Sequence, residues 1–523
     1  MRKNVTRIVV SSCAVDVFST SIEESPAAKY QDPESRAFLV LSGIILLITG
    51  GLLLYSQTVS FVWDEGFHVL AAQLIARGKI PYIDFCFPQT PLNAYWNAGW
   101  LAIFGQTWRV LHVLAALATA GAVFLIAEFV LARFPIRRWR FASALVVVAF
   151  VGLNAVIVQF GTIAQAYGIG MFLCVAAFRV SIAAVARRGY WLSFAAGLLA
   201  GAAAGCTLLT APVAPVLLIW MMVCNRSGNR WAKFGFFIAG AAIPFIPVFF
   251  LFAKAPRQTW FNVVQYQAMY RRVNWNGATP HDVDVLSAWL DSAQGLLMAL
   301  LAGAGLWFLT KKMNGDRARR QEFYLCAWLT VTLVLYIATA HPTFQRYFAF
   351  AAPFASAVAA LGLYWVGSRL SSPDRPLGPT LLVIVLLTLS LARALFDDRD
   401  SVTWHDYEEI ARKVDKVTRP NGRLYADELV YFLTQRQPPS GLEFSYAHKL
   451  ELSHAQERLY HVISQRELND QVKAGKFDTV QTCNDDLTDE LDLANLFPHK
   501  ADVRDCSIFW GKVKAPASVK AAK

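Results

Sequence analysis

The chain has little charge: 16% of its 523 residues are charged and 55% are hydrophobic, where a soluble domain carries roughly 25% charged residues. That excludes a wholly soluble globular protein. Its eight cysteines include no CxxC and no Cys/His ligand spacing, which excludes a zinc finger and a thioredoxin-like motif. It also lacks a continuous basic face. The net charge of +12 is spread over short, separate loops, so no nucleic-acid partner is expected. No repeat of solenoid period is present. A signal-peptide core is missing as well: only Ile8 to Val10 lead into the lipoprotein-like Val10-Ser11-Ser12-Cys13, and such a core needs about 7 to 15 apolar residues. The first apolar run is therefore expected to serve as the membrane-targeting signal.

What the chain has in abundance is apolar runs near the length needed to cross a hydrocarbon core, about 20 residues. They fall near 37–56, 107–132, 141–158, 165–185, 191–208, 211–224, 234–253, 286–310, 322–340, 347–367 and 378–395. This predicts an α-helical polytopic membrane protein with about eleven spans. The break at Thr207 to Pro212 is short and leaves 211–224 a thin span. Lys and Arg alternate between successive loops, as the positive-inside rule requires for a cytoplasmic N-terminus. Arg133, Arg137, Arg138, Arg140, Arg187, Arg188, Arg226, Arg230 and Lys233 fall on one side, as do Lys311, Lys312, Arg317, Arg319, Arg320, Arg369 and Arg375. Two outer segments break the bias: one carries Arg77 and Lys79, the other Lys254, Arg257, Arg271 and Arg272.

Residues 1–36 are polar and Ser-rich, and read as a disordered cytoplasmic tail. Residues 37–395 form the transmembrane domain. From about 396 the charge density rises, and helix-like and strand-like stretches alternate to 513, which predicts a small soluble α/β domain at 396–523 on the outer side. Helices are expected at 403–417, 427–434, 454–468 and 485–495, and strands at 422–426, 477–482 and 506–513. The Lys-rich end, KVKAPASVKAAK, reads as a frayed tail. Cys483 and Cys506 lie near strand ends of this domain, where an oxidising compartment would permit a disulfide. Cys174, Cys206, Cys224 and Cys326 sit in or at the ends of spans and read as small hydrophobes, and Cys86 would be left unpaired.

The informative stretch is 57–106, the first outer loop. Residues 64–77 place Phe67, Leu70, Leu74 and Ile75 at helical spacing among polar residues, and 91–104 open on Pro91 with Tyr95, Trp96 and Trp100. Both read as helices lying in the membrane interface. Asp64 sits at one end of this platform, sharing a helical face with His68, and Asp84 lies between the helices. A carboxylate in such partly apolar surroundings is placed to take a proton from a hydroxyl. The residues alone leave a second reading open, in which Asp64 caps the helix and Glu65 complements its dipole.

Asp64-Glu65 after the first span, "QTPLNAYW" at 89–96, "HPTFQRYFAFAAP" at 341–353 and "YADELVYFLTQRQPP" at 425–439 form an ordered set. Together with the layout from about 37 to 513, the set resembles the GT-C superfamily of membrane glycosyltransferases. The likeness is to the ArnT-like, protein-mannosyltransferase-like and RgtA/B/C/D-like branch, glycosyltransferase family 39/83 type. The resemblance implies a GT-C fold and an inverting transfer of a sugar from a polyprenyl-phosphate donor to a hydroxyl of a lipid, glycan or other cell-envelope acceptor. It implies Asp64 as the base, with Glu65 and Asp84 supporting it or placing the acceptor, and with His68, Gln89, His341 and Tyr347 lining the site. His341 can equally be an ordinary interfacial histidine.

A monophosphate leaving group needs cationic stabilisation. The candidates are Arg271, Arg272 and Arg346, with Lys254 and Arg257 behind them; contact with anionic lipid head groups is the other role open to each. No cofactor is expected, although paired carboxylates do not exclude a divalent metal. The implied location is a bacterial inner membrane with a periplasmic C-terminal domain. Where the sugar-to-lipid-A branch usually carries Glu-Lys-Pro-Pro, this chain has Pro88-Gln89-Thr90-Pro91, which speaks against aminoarabinose transfer. The loops leave no room for the inserted domain of eukaryotic protein mannosyltransferases. The competing classes are a polytopic transporter or lipid flippase, and a non-catalytic envelope-assembly protein. Scarce mid-span charge tells against transport, with Arg109 and Glu128 near the ends of their span.

Overall fold

In lipid a backbone must satisfy its own hydrogen bonds, so long apolar runs fold as helices. The computed structural model describes residues 33–273, 277–313, 316–371 and 375–511, with the side chains of 33, 34 and 271–273 outside that description. Among the described residues, seven helices are long and apolar enough to cross a membrane: Ser35–Thr58, Trp108–Arg133, Ala166–Ala186, Arg230–Lys254, Ala293–Lys311, Arg317–Ala338 and Leu377–Asp397. The other four expected runs are helical but short or interrupted. The 141–158 run divides into Arg140–Gly152 and Ala155–Phe160, because the Asn154 side chain caps the second piece by accepting from Ile157 N at 3.2 Å. Trp191–Cys206 and Val213–Cys224 are separated by a 3-10 turn at Leu208–Thr210. A 3-10 turn at Gln345–Phe350 precedes the helix Ala352–Leu370. The protein is an integral membrane protein.

The first helix begins at Pro33, inside the segment expected to be a tail. Residues 1–32 and the Lys-rich 512–523 lie outside the described residues.

The helices Ala293–Lys311 and Ala352–Leu370 touch backbone to backbone. A Cβ added at Gly362 would fall 1.8 Å from the Leu301 carbonyl oxygen, and one at Gly305 would fall 2.0 Å from that of Val358. Close approach of this kind needs small residues on both helices. Gly362→Ala is accordingly expected to force the pair apart and cost about 1–3 kcal/mol, seen as a lower thermal midpoint of the detergent-solubilised protein. An unchanged midpoint would show that the two helices separate freely.

The C-terminal domain opens with the helix Trp404–Val417, started by a capping box of Thr403 and Asp406. Its sheet has strands β1 (Leu424–Tyr425), β2 (Thr479–Thr482), β3 (His499–Val503) and β4 (Cys506–Trp510) in the order β1-β2-β4-β3. β1 runs parallel to β2, and β4 runs antiparallel to both β2 and β3. Cys483 and Cys506 form a disulfide where β2 ends and β4 begins, and the five other cysteines among the described residues are buried and free. The helix expected over 454–468 is two helices, His454–Tyr460 and Gln465–Lys473. His461 adopts a left-handed conformation with φ 53° and ends the first, and Ser464 caps the second.

The two helices of the first outer loop are Glu65–Ala76 and Leu92–Phe104. The second keeps an exposed aromatic edge, with Trp96 against Trp100 and Trp100 stacked on Phe104. The first differs from the expected interfacial helix. Glu65, Gly66, Phe67 and residues 69–74 are all buried, because the C-terminal helix Glu428–Thr434 lies along it. Gln73 Nε2 donates to the Phe432 carbonyl at 3.0 Å, and Arg77 donates to the Gln435 carbonyl and side chain. A second contact couples the domain to the bundle: Trp404 stacks on Trp108, and Glu408 accepts from Trp108 Nε1 and Arg109.

Candidate active site

The first span ends, the chain turns through 59–64, and the next helix starts at Glu65. Asp64 precedes that helix, yet its side chain makes no capping hydrogen bond. Helix capping therefore does not account for its carboxylate, which turns elsewhere. Oδ2 accepts from Arg346 Nη2 at 2.6 Å, and Oδ1 accepts from the Tyr446 hydroxyl at 2.5 Å. Three distant parts of the chain thus meet on one side chain.

Arg346 is steered there by its surroundings. Its guanidinium lies 4.3 Å from the ring centroid of Phe344, 5.6 Å from Phe160 and 5.9 Å from Tyr347, and such faces attract cations. The loop that delivers it is pinned upstream. Asp282 accepts from Thr343 N at 2.6 Å and pairs with His341 Nδ1 at 2.5 Å, while His281 Nε2 donates to the Thr343 carbonyl at 3.0 Å.

Asp64 and Arg346 border a cavity of about 460 Å³. Its polar lining includes His68, Gln89, Gln165, Tyr167, Gln267 and Tyr347, and its apolar lining includes Leu208, Val264 and Tyr336, which are also exposed on the outside of the bundle. One wall is therefore shared with the exposed outer surface of the protein. Two buried polar atoms of lining residues, His68 Nδ1 and Gln165 Nε2, have no hydrogen-bond partner. Burial pushes the His68 imidazole down to about 4, so it is neutral near pH 7 and offers an uncharged ring nitrogen to a ligand. Burial, followed by the Asp64 charge, raises the Tyr446 phenol above its ordinary range, so it stays a proton donor.

The residues expected to share the site divide sharply. Asp64, His68, Gln89, Arg346 and Tyr347 line one cavity. Glu65 does not: it is fully buried, with Oε1 2.7 Å from His112 Nε2 and accepting from Ala164 N at 2.6 Å, and Oε2 accepting from Trp404 Nε1 at 3.2 Å. Successive residues on a helix point about 100° apart, so Asp64 faces the cavity and Glu65 the protein interior. Asp84 is also elsewhere, its carboxylate accepting from Ile80 N at 2.7 Å to close a turn. His341 is exposed, outside the cavity lining, and braces the loop that carries Arg346. Lys254 and Arg257 are exposed and outside the lining, Lys254 resting over Phe250. The side chains of Arg271 and Arg272 lie outside the described residues. Among the described residues no group of three or more His, Cys, Asp and Glu gathers where it could hold a metal.

Sequence reasoning missed Tyr446, Gln165 and Tyr167. Tyr446 is 382 residues from Asp64, and no local pattern marks it. Gln165 precedes an ordinary apolar run, and only its unsatisfied buried amide distinguishes it.

No protein-family model matches the sequence, and no curated protein matches it. Solved structures do. The chain is similar to ArnT from Cupriavidus metallidurans bound to undecaprenyl phosphate, with a TM-score of 0.64 and 13% identity over 90% of this chain and 97% of that one. For ArnT from the same organism in the apo state the TM-score is 0.65, with 11% identity over 91% of this chain and 98% of the other. The protein shares the ArnT fold over nearly its whole length, membrane bundle and C-terminal domain together.

Proposed function

We propose that the protein is a membrane glycosyltransferase that moves a sugar from a polyprenyl-phosphate donor to a hydroxyl of a lipid, glycan or other cell-envelope acceptor, with inversion. The observation that carries this reading is the Asp64 carboxylate, paired with Arg346 at a cavity whose lining includes Leu208, Val264 and Tyr336, residues also exposed on the outside of the bundle. The fold adds support, because a structure sharing it holds undecaprenyl phosphate.

In the proposed step the donor enters through the wall formed by Leu208, Val264 and Tyr336, with its phosphate toward Arg346. Asp64 takes the proton of the acceptor hydroxyl. The acceptor oxygen bonds to the anomeric carbon from the face opposite the phosphate, and the bond from that carbon to the phosphate oxygen breaks, its electron pair leaving with the polyprenyl phosphate. Arg346 stabilises the charge gathering on that oxygen. Its guanidinium meets Asp64 through Nη2, and to the extent that it turns from Asp64 to the phosphate the carboxylate becomes a stronger base. His68 Nδ1 and Gln165 Nε2 are free to bind sugar or phosphate oxygens. The reaction is proposed to need no cofactor. We place it on the periplasmic side of a bacterial inner membrane, with the N-terminus cytoplasmic and the C-terminal domain periplasmic.

The test is transfer of radiolabelled sugar from a panel of polyprenyl-phosphate sugars into membrane glycans, with purified wild type and Asp64→Asn. Incorporation by wild type alone is the expected result. Donor binding without Asp64-dependent transfer or hydrolysis across the panel would instead favour a transport or binding role.

A further inference from the structure

Both oxygens of the proposed base are already engaged. Arg346 holds Oδ2 and the Tyr446 hydroxyl holds Oδ1. An acceptor oxygen must come within about 2.6–3.2 Å of the base that deprotonates it, and the Tyr446 oxygen is at 2.5 Å, presenting an O–H to the carboxylate as an alcohol would.

The two partners differ in how they are held. Arg346 belongs to the bundle and lies among three aromatic rings. Tyr446 belongs to the five-residue 3-10 turn Ser445–Lys449 of the C-terminal domain, tied back to that domain by Ser445 N donating to Glu428 at 2.7 Å. Its ring meets Phe67 and Phe444 edge-on or tilted, at centroid distances of 6.2 and 5.7 Å. The cavity lining is drawn wholly from residues 64–350, so Tyr446 reaches Asp64 from the C-terminal domain and not from the cavity in which the donor is proposed to lie.

We infer that Tyr446 is a placeholder for the acceptor: the acceptor hydroxyl arrives from the C-terminal-domain side and replaces the Tyr446 hydroxyl on Asp64 Oδ1. This rests on the glycosyltransferase reading and assigns the acceptor a route separate from the donor's. It also gives the C-terminal domain a role at the reaction centre. While Tyr446 covers the carboxylate, water is kept from the base, and a loaded donor is protected from hydrolysis until an acceptor displaces the phenol.

The test compares wild type, Tyr446→Phe and Tyr446→Ala in the full-length membrane protein. The donors are polyprenyl-phosphate-linked glucose, mannose and arabinose, and the acceptors are water and octyl glucoside. Removing a competing hydrogen bond to a charged group raises the fraction of protein competent to bind, here by about tenfold. Tyr446→Phe should therefore release free sugar about tenfold faster without acceptor and lower the KM for octyl glucoside by a similar factor, with the donor KM unchanged. Tyr446→Ala should move both quantities in the same direction. Reduced transfer with unchanged hydrolysis and unchanged acceptor KM would overturn the inference, leaving Tyr446 as a fixed positioning residue for Asp64. Wild type that neither transfers nor hydrolyses any donor would instead overturn the glycosyltransferase reading itself.

Discussion

Asp64→Asn is expected to lower sugar transfer by about 10²- to 10⁴-fold, the range supplied by a positioned proton acceptor, while the bundle and its C-terminal domain stay folded. The substitution keeps the size of the side chain and an oxygen able to accept from Tyr446 or Arg346, but it removes the basicity. The Asp64–Arg346 pair is partly exposed, with side-chain accessibilities of 22% and 21%, so its loss should cost only about 1 kcal/mol of stability.

A second readout separates a base from a mere structural acid. With Asp64 neutralised, Arg346 no longer has a carboxylate to satisfy, and binding of undecaprenyl phosphate should tighten even as transfer collapses. Arg346→Ala should do the reverse to binding, weakening it by about tenfold or more, as expected for losing a hydrogen bond to a charged group. Thermal midpoints and phosphate-lipid binding measured on the two variants would check this. Equal weakening of binding in both would mean that Asp64 holds the donor site together and does not act on the acceptor.

Much of this arrangement is legible in the sequence, because membrane spans are written in composition. All eleven expected apolar runs are helical, and the acid after the first of them lies at the cavity. Arg346 was also accessible, through its place at the mouth of a late span. The failures have physical causes. An amphipathic helix has the same apolar face whether lipid or protein covers it, so Glu65–Ala76 reads as interfacial although the C-terminal domain buries it. β3 was missed because His499–Val503 is a polar edge strand, largely exposed, and lacks the β-branched, apolar alternation that marks a strand. Asp84 and His341 carry functional-looking side chains, but turn closure and loop bracing use them. Tyr446 could not be found at all, since its contact is made only when two domains dock.

Glu65→Ala is expected to act on the fold, in contrast to its neighbour, destabilising the protein by about 3–5 kcal/mol, as breaking a buried pair by removing one partner does. The reason lies in three donors and acceptors left behind without exposure to water. His112 is fully buried, and its Nδ1 faces the Ser56 carbonyl at 2.7 Å. A carbonyl can only accept, so Nδ1 carries a proton, and Nε2 either donates to an ionised Glu65 or accepts from a protonated one. Both assignments leave the pair neutral overall, which is how it tolerates complete burial. Removing the carboxyl strands His112 Nε2, Ala164 N and Trp404 Nε1 at once. Those three groups belong to the Trp108–Arg133 helix, the loop before Ala166 and the C-terminal domain, so the variant should loosen the domain from the bundle. The expected signs are a lower thermal midpoint and faster proteolysis in residues 397–403, in protein that still binds undecaprenyl phosphate below its midpoint. A midpoint equal to wild type with transfer abolished would instead place Glu65 in the chemistry beside Asp64.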